Sequence, residues 1–320
     1  MSSRSLQLAG VTVLAAASLL VSACGGQNQA GSAGGGGITG TVTVDGSSTV
    51  APLSEAAADL FREVEPGVNV TVATAGTGGG FQKFCGGETD ISDASRPIKD
   101  EEAEACKAAG IEYTEVIVAN DGLSVVVNPE NSWAECLTVK QLNTIWSPES
   151  EGKIKNWNQV DKSFPDQELT LFGPGTDSGT FDYFTEAING EEGASRTDFS
   201  PSEDDNITIQ GVTGDKGAMG YFGLSYVEQN PDAVKAVEID GGAGCVAPSK
   251  QTVQDKTYKP LARPLYIYVK NSSYKDNPAV KAYVDFYVEN EAKVADEALF
   301  VGLTPEQKQT AQDELGSIAT

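Results

Sequence analysis

Histidine is absent from all 320 residues. Without it a Ser-His-Asp triad cannot be assembled, and histidine metal ligands are excluded. A Lys base beside a serine nucleophile is conceivable, but no motif marks one. Basic residues are few: 22 Lys and Arg stand against 46 Asp and Glu, a formal net charge of −24. That balance argues against nucleic acid and against an electrostatic grip on anionic lipid. It also opposes an anionic ligand, but hydrogen bonds at contact distance outweigh a diffuse field that salt screens over about 8 to 10 Å. Cysteine is sparse, with five in the chain, and no CxxC pair occurs. No metal site and no cofactor are expected. Long internal repeats are also absent.

What the chain does have begins at its start. MSSRSLQLAGVTVLAAASLLVSAC carries one basic residue, Arg4, then an apolar stretch and Val21-Ser22-Ala23-Cys24. The stretch is too short and wrongly flanked for a membrane span, and reads as a secretory signal over residues 1–23. Small residues leading into a cysteine resemble a bacterial lipobox, with cleavage before Cys24 and diacylglycerol on its sulfur. A palmitate-type anchor and an extracytoplasmic, membrane-attached location follow as expectations. Residues 24–40 form a Gly-rich tether, with a typical end-to-end distance of about 20 Å and a full extension of about 50 Å. A lipidated protein uses such slack to move its body off the membrane.

The body, residues 41–320, is long enough for two domains with sizeable cores. Its pattern repeats. TVTVDG (41–46) alternates like a strand, meets Ser47-Ser48-Thr49, then gives way to the helical VAPLSEAAADLFREV. VNVTVATAG (68–76) meets Thr77-Gly78-Gly79-Gly80 and a short helix from Phe81. GETDISDAS (87–95) meets Ser95-Arg96-Pro97 and an acidic helix. LTLF (169–172) runs through Gly-Pro-Gly into Thr176-Asp177-Ser178-Gly179-Thr180 and the helical FDYFTEAI. Such a turn taken alone reads first as an ordinary helix cap. Four in one chain, each strand, small polar turn and helix, imply βα alternation and a mostly parallel sheet. Ligands collect beyond the carboxyl ends of such strands, and helix starts offer free N–H groups to a small anion.

YTEVIVANDGLSVVVN (113–128) reads as two extended runs around Asn120-Asp121-Gly122, leaving a first lobe and entering a second. RPLYIYVK (263–270) reads as the return crossing. Lobe 1 is then 41–118 plus 264–320, and lobe 2 is 119–263, with the ligand in the cleft and closure about the hinge. Cys85, Cys106, Cys136 and Cys245 are an even number in an exported chain, so disulfides are expected. Three pairings are possible. Cys85–Cys106 with Cys136–Cys245 is favoured because each pair stays within one lobe.

DGSSTVAP (45–52), AGTGGGF (75–81), DISDASRPI (90–98) and GPGTDSGTF (173–181), in this order, resemble the phosphate-binding lipoproteins of bacterial phosphate ABC transporters. LTVKQLNTIW, KIKNWNQV and RPLYIYVK add to the likeness, which covers nearly all of 41–320. The resemblance implies a two-lobed α/β periplasmic-binding-protein fold, type II-like, with a two-strand hinge. It implies inorganic phosphate as ligand, a membrane permease as partner and a monomeric receptor. Carried to matching positions, it implicates Ser48, Thr49, Thr77, Ser95, Arg96, Ser178, Gly179 and Thr180, with Ser47, Gly78, Asp93 and Asp177 as further candidates. Two departures stand out. Many relatives carry an arginine where this chain has Gly173-Pro174-Gly175, and the best-known ones an aspartate at Ser95. Arg96 is therefore expected to supply the cation, through a planar fork suited to a tetrahedral oxyanion. The competing role for Arg96 is a surface ion pair with a neighbour such as Asp100. Asp93 and Asp177 either accept a ligand proton, which selects protonated oxyanions over sulfate, or serve the fold, Asp177 as a helix cap.

Rival readings are a phosphatase with Ser178 or Ser48 as nucleophile, a receptor for sulfate, molybdate or an amino acid, and a surface sensor or adhesin. The four donor-rich turns and one Arg suit a compact oxyanion best.

Overall fold

A computed structural model describes residues 37–176 and 178–319. The secretory signal, Cys24 and Asp177 lie outside the described residues.

Three strand–helix units open the body: β1 (Gly40–Gly46) into α1 (Ala51–Arg62), β2 (Val68–Ala73) into α2 (Gly76–Cys85), and β3 (Ile91–Ala94) into α3 (Asp100–Ala108). The long strand β4 (Tyr113–Val127) follows, then β5 (Cys136–Thr138), α4 (Val139–Trp146) and the short α5 (Trp157–Val160). A fourth unit joins β6 (Thr170–Gly173) to α6 (Gly179–Asn189). Next come β7 (Ser200–Pro201), α7 (Asp205–Gly214), β8 (Ala218–Gly223) and α8 (Leu224–Gln229). Short strands β9 (Lys235–Ala236), β10 (Glu238–Asp240) and β11 (Cys245–Val246) lead to α9 (Lys250–Gln254) and the return strand β12 (Ala262–Lys270). Helices α10 (Asn271–Asp276), α11 (Pro278–Glu289), α12 (Glu291–Glu297) and α13 (Pro305–Ala319) end the chain.

The main sheet runs β2-β1-β3-β12-β4-β8-β6-β7. β1 pairs parallel with β2 and β3, and β6 pairs parallel with β7 and β8. The crossing strands differ: β12 is antiparallel to both β3 and β4, and β4 is antiparallel to β8. Each half is thus a parallel βα array, and β4 and β12 carry the chain between halves.

Two cores follow from this layout. Val42 and Val44 of β1 face inward with Leu53, Ala57 and Phe61 of α1, against Tyr283 and Tyr287 of α11. The α1 residues recur at helical spacing, so one stripe is apolar and buried. A second core collects Leu123, Val125 and Val127 of β4 with Leu142, Trp146, Phe184 and Tyr221. Trp157, expected as a buried tryptophan in a short turn, is fully buried there. The fold is two-lobed. Cys85 is bonded to Cys106, tying α2 to α3, and Cys136 to Cys245, tying β5 to β11.

Two local readings change. Thr77-Gly78-Gly79-Gly80, expected as a turn, lies inside α2. Glycine is a poor helix former, but a Cβ on Gly80 would stand 2.5 Å from the Gly46 Cα and 2.9 Å from Ser92 Oγ. The helix start can press onto the end of β1 only without side chains. Likewise, Asn120-Asp121-Gly122 does not break the extended run. These residues pair with Pro264, Arg263 and Ala262 of β12, and the partner strand keeps them in the ladder.

Candidate functional site

Several corners of the chain meet around one small cavity of about 20 Å³. The first is Ser47-Ser48-Thr49, between β1 and α1. The Ser47 carbonyl accepts from the N–H groups of Val50 and Ala51 at 3.2 and 3.0 Å. Ser47 Oγ accepts from Thr49 N–H at 3.2 Å, and Ser47 N–H donates to the Asp93 carbonyl at 2.9 Å. The turn is therefore held from within and pinned to the end of β3. The second corner is Gly76-Thr77, where α2 begins; Gly76 has φ +75°, a conformation that glycine adopts without strain. The third is Ser95, just past β3. The hydroxyls of Thr77 and Ser95 stand 3.0 Å apart. Asp182, Tyr183 and Glu186 of α6 line the opposite wall, joined by Glu192.

The cation on this cavity is Arg263, the second residue of β12. Its Nη2 donates to Thr49 Oγ1 at 3.1 Å and its Nη1 to the Ser95 carbonyl at 3.3 Å. Nε donates to Asp121 Oδ2 at 3.3 Å. The guanidinium carbon lies 3.6 Å from the centroid of the Tyr183 ring, and Tyr183 OH is anchored to the Pro260 carbonyl at 2.6 Å. Arg263 and Asp121 are cross-strand neighbours in the β12–β4 register. Burial pushes the Asp121 carboxyl up, against the pull of Arg263. A planar cation fixed on three sides has its direction set before any ligand arrives.

Carboxylates share the cavity. Asp182 is pushed up to about 6, first by burial and then by Glu192, with Arg263 opposing and Glu186 adding to the rise. Of the residues singled out from sequence, Ser47, Ser48, Thr49, Thr77 and Ser95 converge on this point.

Others stand elsewhere. Arg96 does not line the cavity. Its guanidinium holds Glu102 through two bonds of 2.8 Å, and a third N–H reaches the Pro97 carbonyl at 3.1 Å. Its ion-pair partner is thus Glu102, not Asp100. Gly78 faces that pair, 3.8 Å from Arg96 Nη2 at its built Cβ position. Asp93 is fully buried beneath the first turn, where its Oδ1 accepts from Ser54 Oγ at 2.8 Å. Ser178 caps α6, its Oγ accepting from Thr180 N–H at 3.2 Å. Thr180 lines a neighbouring cavity of about 100 Å³ with Asp121 and Asp205. Gly179 touches the first corner itself: a Cβ there would lie 2.3 Å from Thr49 Oγ1. Cys136, Glu238 and Cys245 form a cluster with metal-like spacing, but both sulfurs are spent in the disulfide.

Sequence reasoning missed Arg263, Asp182, Tyr183, Glu186 and Glu192. RPLYIYVK reads as the return strand, and a cation at the first end of a crossing strand is the available signal. Asp182 and Glu186 offered none, since acidic residues on a helix are ordinarily solvated.

Residues 31–291 match the family described as the PBP superfamily domain. Protein SphX of Synechocystis sp. is 47% identical over 266 residues, covering 83% of this chain and 79% of that protein. The phosphate-binding protein PstS of Staphylococcus epidermidis is 40% identical over 310 residues, covering 97% of this chain and 92% of that protein. Among solved structures, a possible phosphate binding protein from Planctomyces limnophilus shares 45% identity with a TM-score of 0.83, over 88% of this chain and all of its own. The chain belongs to the PBP superfamily, in the group of the SphX and PstS phosphate-binding proteins.

Proposed function

We propose that the chain binds inorganic phosphate between its two lobes and delivers it to the permease of an ABC transporter. The observation that carries this reading is the joining of Ser47-Ser48-Thr49, Thr77, Ser95 and Arg263 around a cavity of about 20 Å³. That volume is on the order of one or two water-sized spheres, so the site suits a compact ion better than a bulky ligand. The start of α2 adds N–H groups for the anion, and the dipoles of α1 and α2 add partial positive charge. In this reading Arg263, not Arg96, carries the cation role.

Asp182 decides which oxyanion. An ionised carboxylate repels an anion unless the anion donates a proton to it. HPO₄²⁻ has such a proton at neutral pH and sulfate does not, and a mismatch leaves a buried polar group unpaired. The acidic wall thus favours phosphate over sulfate or molybdate.

The lobes are 41–118 with 264–320, and 119–263, with β4 and β12 as the hinge strands. Cys24 carries the lipid anchor, the chain acts as a monomer outside the cytoplasm, and no bond of the ion is broken. Calorimetry with phosphate, sulfate and p-nitrophenyl phosphate tests the reading. Tight phosphate binding, weak sulfate binding and no nitrophenol release are expected. Equal affinity for sulfate, or turnover of the ester, overturns it.

A further inference from the structure

Gly179 opens α6, whose Phe184 lies in the second core, and it meets Thr49, whose neighbour Val50 lies in the first. The contact therefore crosses from one lobe to the other. It is also extremely close. A Cβ on Gly179 would stand 2.3 Å from Thr49 Oγ1, 2.7 Å from Thr49 N and 2.9 Å from Thr49 Cα. These are its three nearest atoms, and two belong to backbone, so no rotamer of Thr49 relieves the overlap. Thr49 N–H is itself held by Ser47 Oγ at 3.2 Å, and Thr49 Oγ1 accepts from Arg263 at 3.1 Å. The Thr49 side of the contact is therefore held in place.

We infer that Gly179 is the closure seat of the molecule: its bare backbone lets the start of α6 rest on the Thr49 turn, and so brings Asp182, Tyr183 and Glu186 over an ion held by the other lobe. Gly179 acts as a positioning residue through this contact. Its φ lies outside the left-handed region, so alanine fits the local backbone and suits a helix start. A Cβ added there obstructs only the seated arrangement. Packed interfaces do not deform gradually, so an overlap of this size leaves the lobes apart.

The inference rests on the phosphate reading, and one experiment separates the two. Gly179→Ala is made in the full chain beside Gly214→Ala, a helical glycine whose added Cβ meets nothing within 4 Å among the described residues. Phosphate affinity is measured by calorimetry, and closure by hydrogen exchange of the 48–53 and 179–184 amides with and without phosphate. Gly179→Ala is expected to keep the parent's melting temperature without phosphate, to bind phosphate about tenfold more weakly or worse, and to lose the phosphate-induced protection of 179–184. Gly214→Ala is expected to match the parent throughout. If Gly179→Ala binds and protects like the parent, or if its phosphate-free form is already unfolded, the closure role is overturned. If the parent itself does not bind phosphate, it is the phosphate reading that falls.

Discussion

Arg263 Nη2 donates to Thr49 Oγ1 at 3.1 Å across 214 positions of sequence. This bond ties the return strand to the first turn of the body, and with it the hinge to the site. Arg263 is thereby fixed from two directions, by β4 through Asp121 and by the turns that hold Thr49 and Ser95.

Arg263→Ala should weaken phosphate binding by about 2 to 5 kcal/mol, the range for truncating one partner of a buried, hydrogen-bonded charge pair. It also leaves Asp121 buried and without its cation, so stability should fall as well. Arg96→Ala removes a partly exposed pair with Glu102 and should cost about 1 kcal/mol or less. Arg263→Lys should recover little, because an ammonium cannot make the three directed contacts. Calorimetry on the three variants checks the order. A larger loss at Arg96 than at Arg263 would reverse the assignment of the cation.

Asp182→Asn keeps the size of the side chain and removes its charge. Phosphate binding should weaken by about 1 to 3 kcal/mol, because a neutral amide oxygen accepts the ligand's proton less strongly than a carboxylate in a desolvated site, and sulfate binding should improve. The parent protein should imitate the variant at low pH. Asp182 is pushed up to about 6, so below that value the side chain carries its own proton and repels sulfate less. The measured quantity is the ratio of phosphate to sulfate affinity between pH 5 and pH 8. A ratio that is flat in the parent and unchanged in the variant would remove Asp182 from the discrimination.

Cys136 and Cys245 are 109 positions apart, and Cys85 and Cys106 are 21 apart. In the chain-entropy account, the longer loop restrains the unfolded chain more, by about 4.7 kcal/mol against about 3. Replacing both members of the longer pair with serine should lower the denaturant midpoint further than the same change in the shorter pair. Equal losses would point to packing around the sulfurs as the dominant effect.

The turns were legible because their chemistry is local: β-branched strand, small polar corner, apolar-striped helix. Serine and threonine at Ser47 to Thr49, Thr77 and Ser95 announce themselves without knowledge of any partner. Arg263 was not legible, because its place depends on the register of β12 against β4, a pairing between residues 142 positions apart. Arg96 was over-read for the same reason. Beside Ser95 in sequence it looks like a ligand, but the Glu102 carboxylate one helical turn into α3 claims its fork. The Thr77-Gly78-Gly79-Gly80 helix was hidden because what stabilises it, close seating of Gly80 on Gly46, is a tertiary contact that overrides propensity. Asp93, a further candidate for the ligand in the sequence, lies buried beneath the first turn and does not line the cavity.

That position gives Asp93 a measurable signature. Its side chain is fully buried, one oxygen accepts from Ser54, and the other, Oδ2, has no hydrogen-bond partner among the described residues. Asp45 and Glu55 face it with like charge, and the Tyr283 and Tyr287 phenols lie close by. Burial, with those two carboxylates, pushes it up to about 8 although the Ser54 bond pulls down. The folded protein thus holds a proton that the unfolded chain releases near pH 4. The stability from this proton is fully present below about pH 4 and is lost as pH rises toward about 8, with a slope of at most about 1.4 kcal/mol per pH unit. Asp93→Asn keeps an acceptor for Ser54 and cannot ionise. Its melting temperature relative to the parent should therefore climb steadily between pH 4 and pH 8 and level off above. Parallel curves for the two proteins over that window would mean that Asp93 is ionised in the fold, and that Oδ2 finds a partner after all.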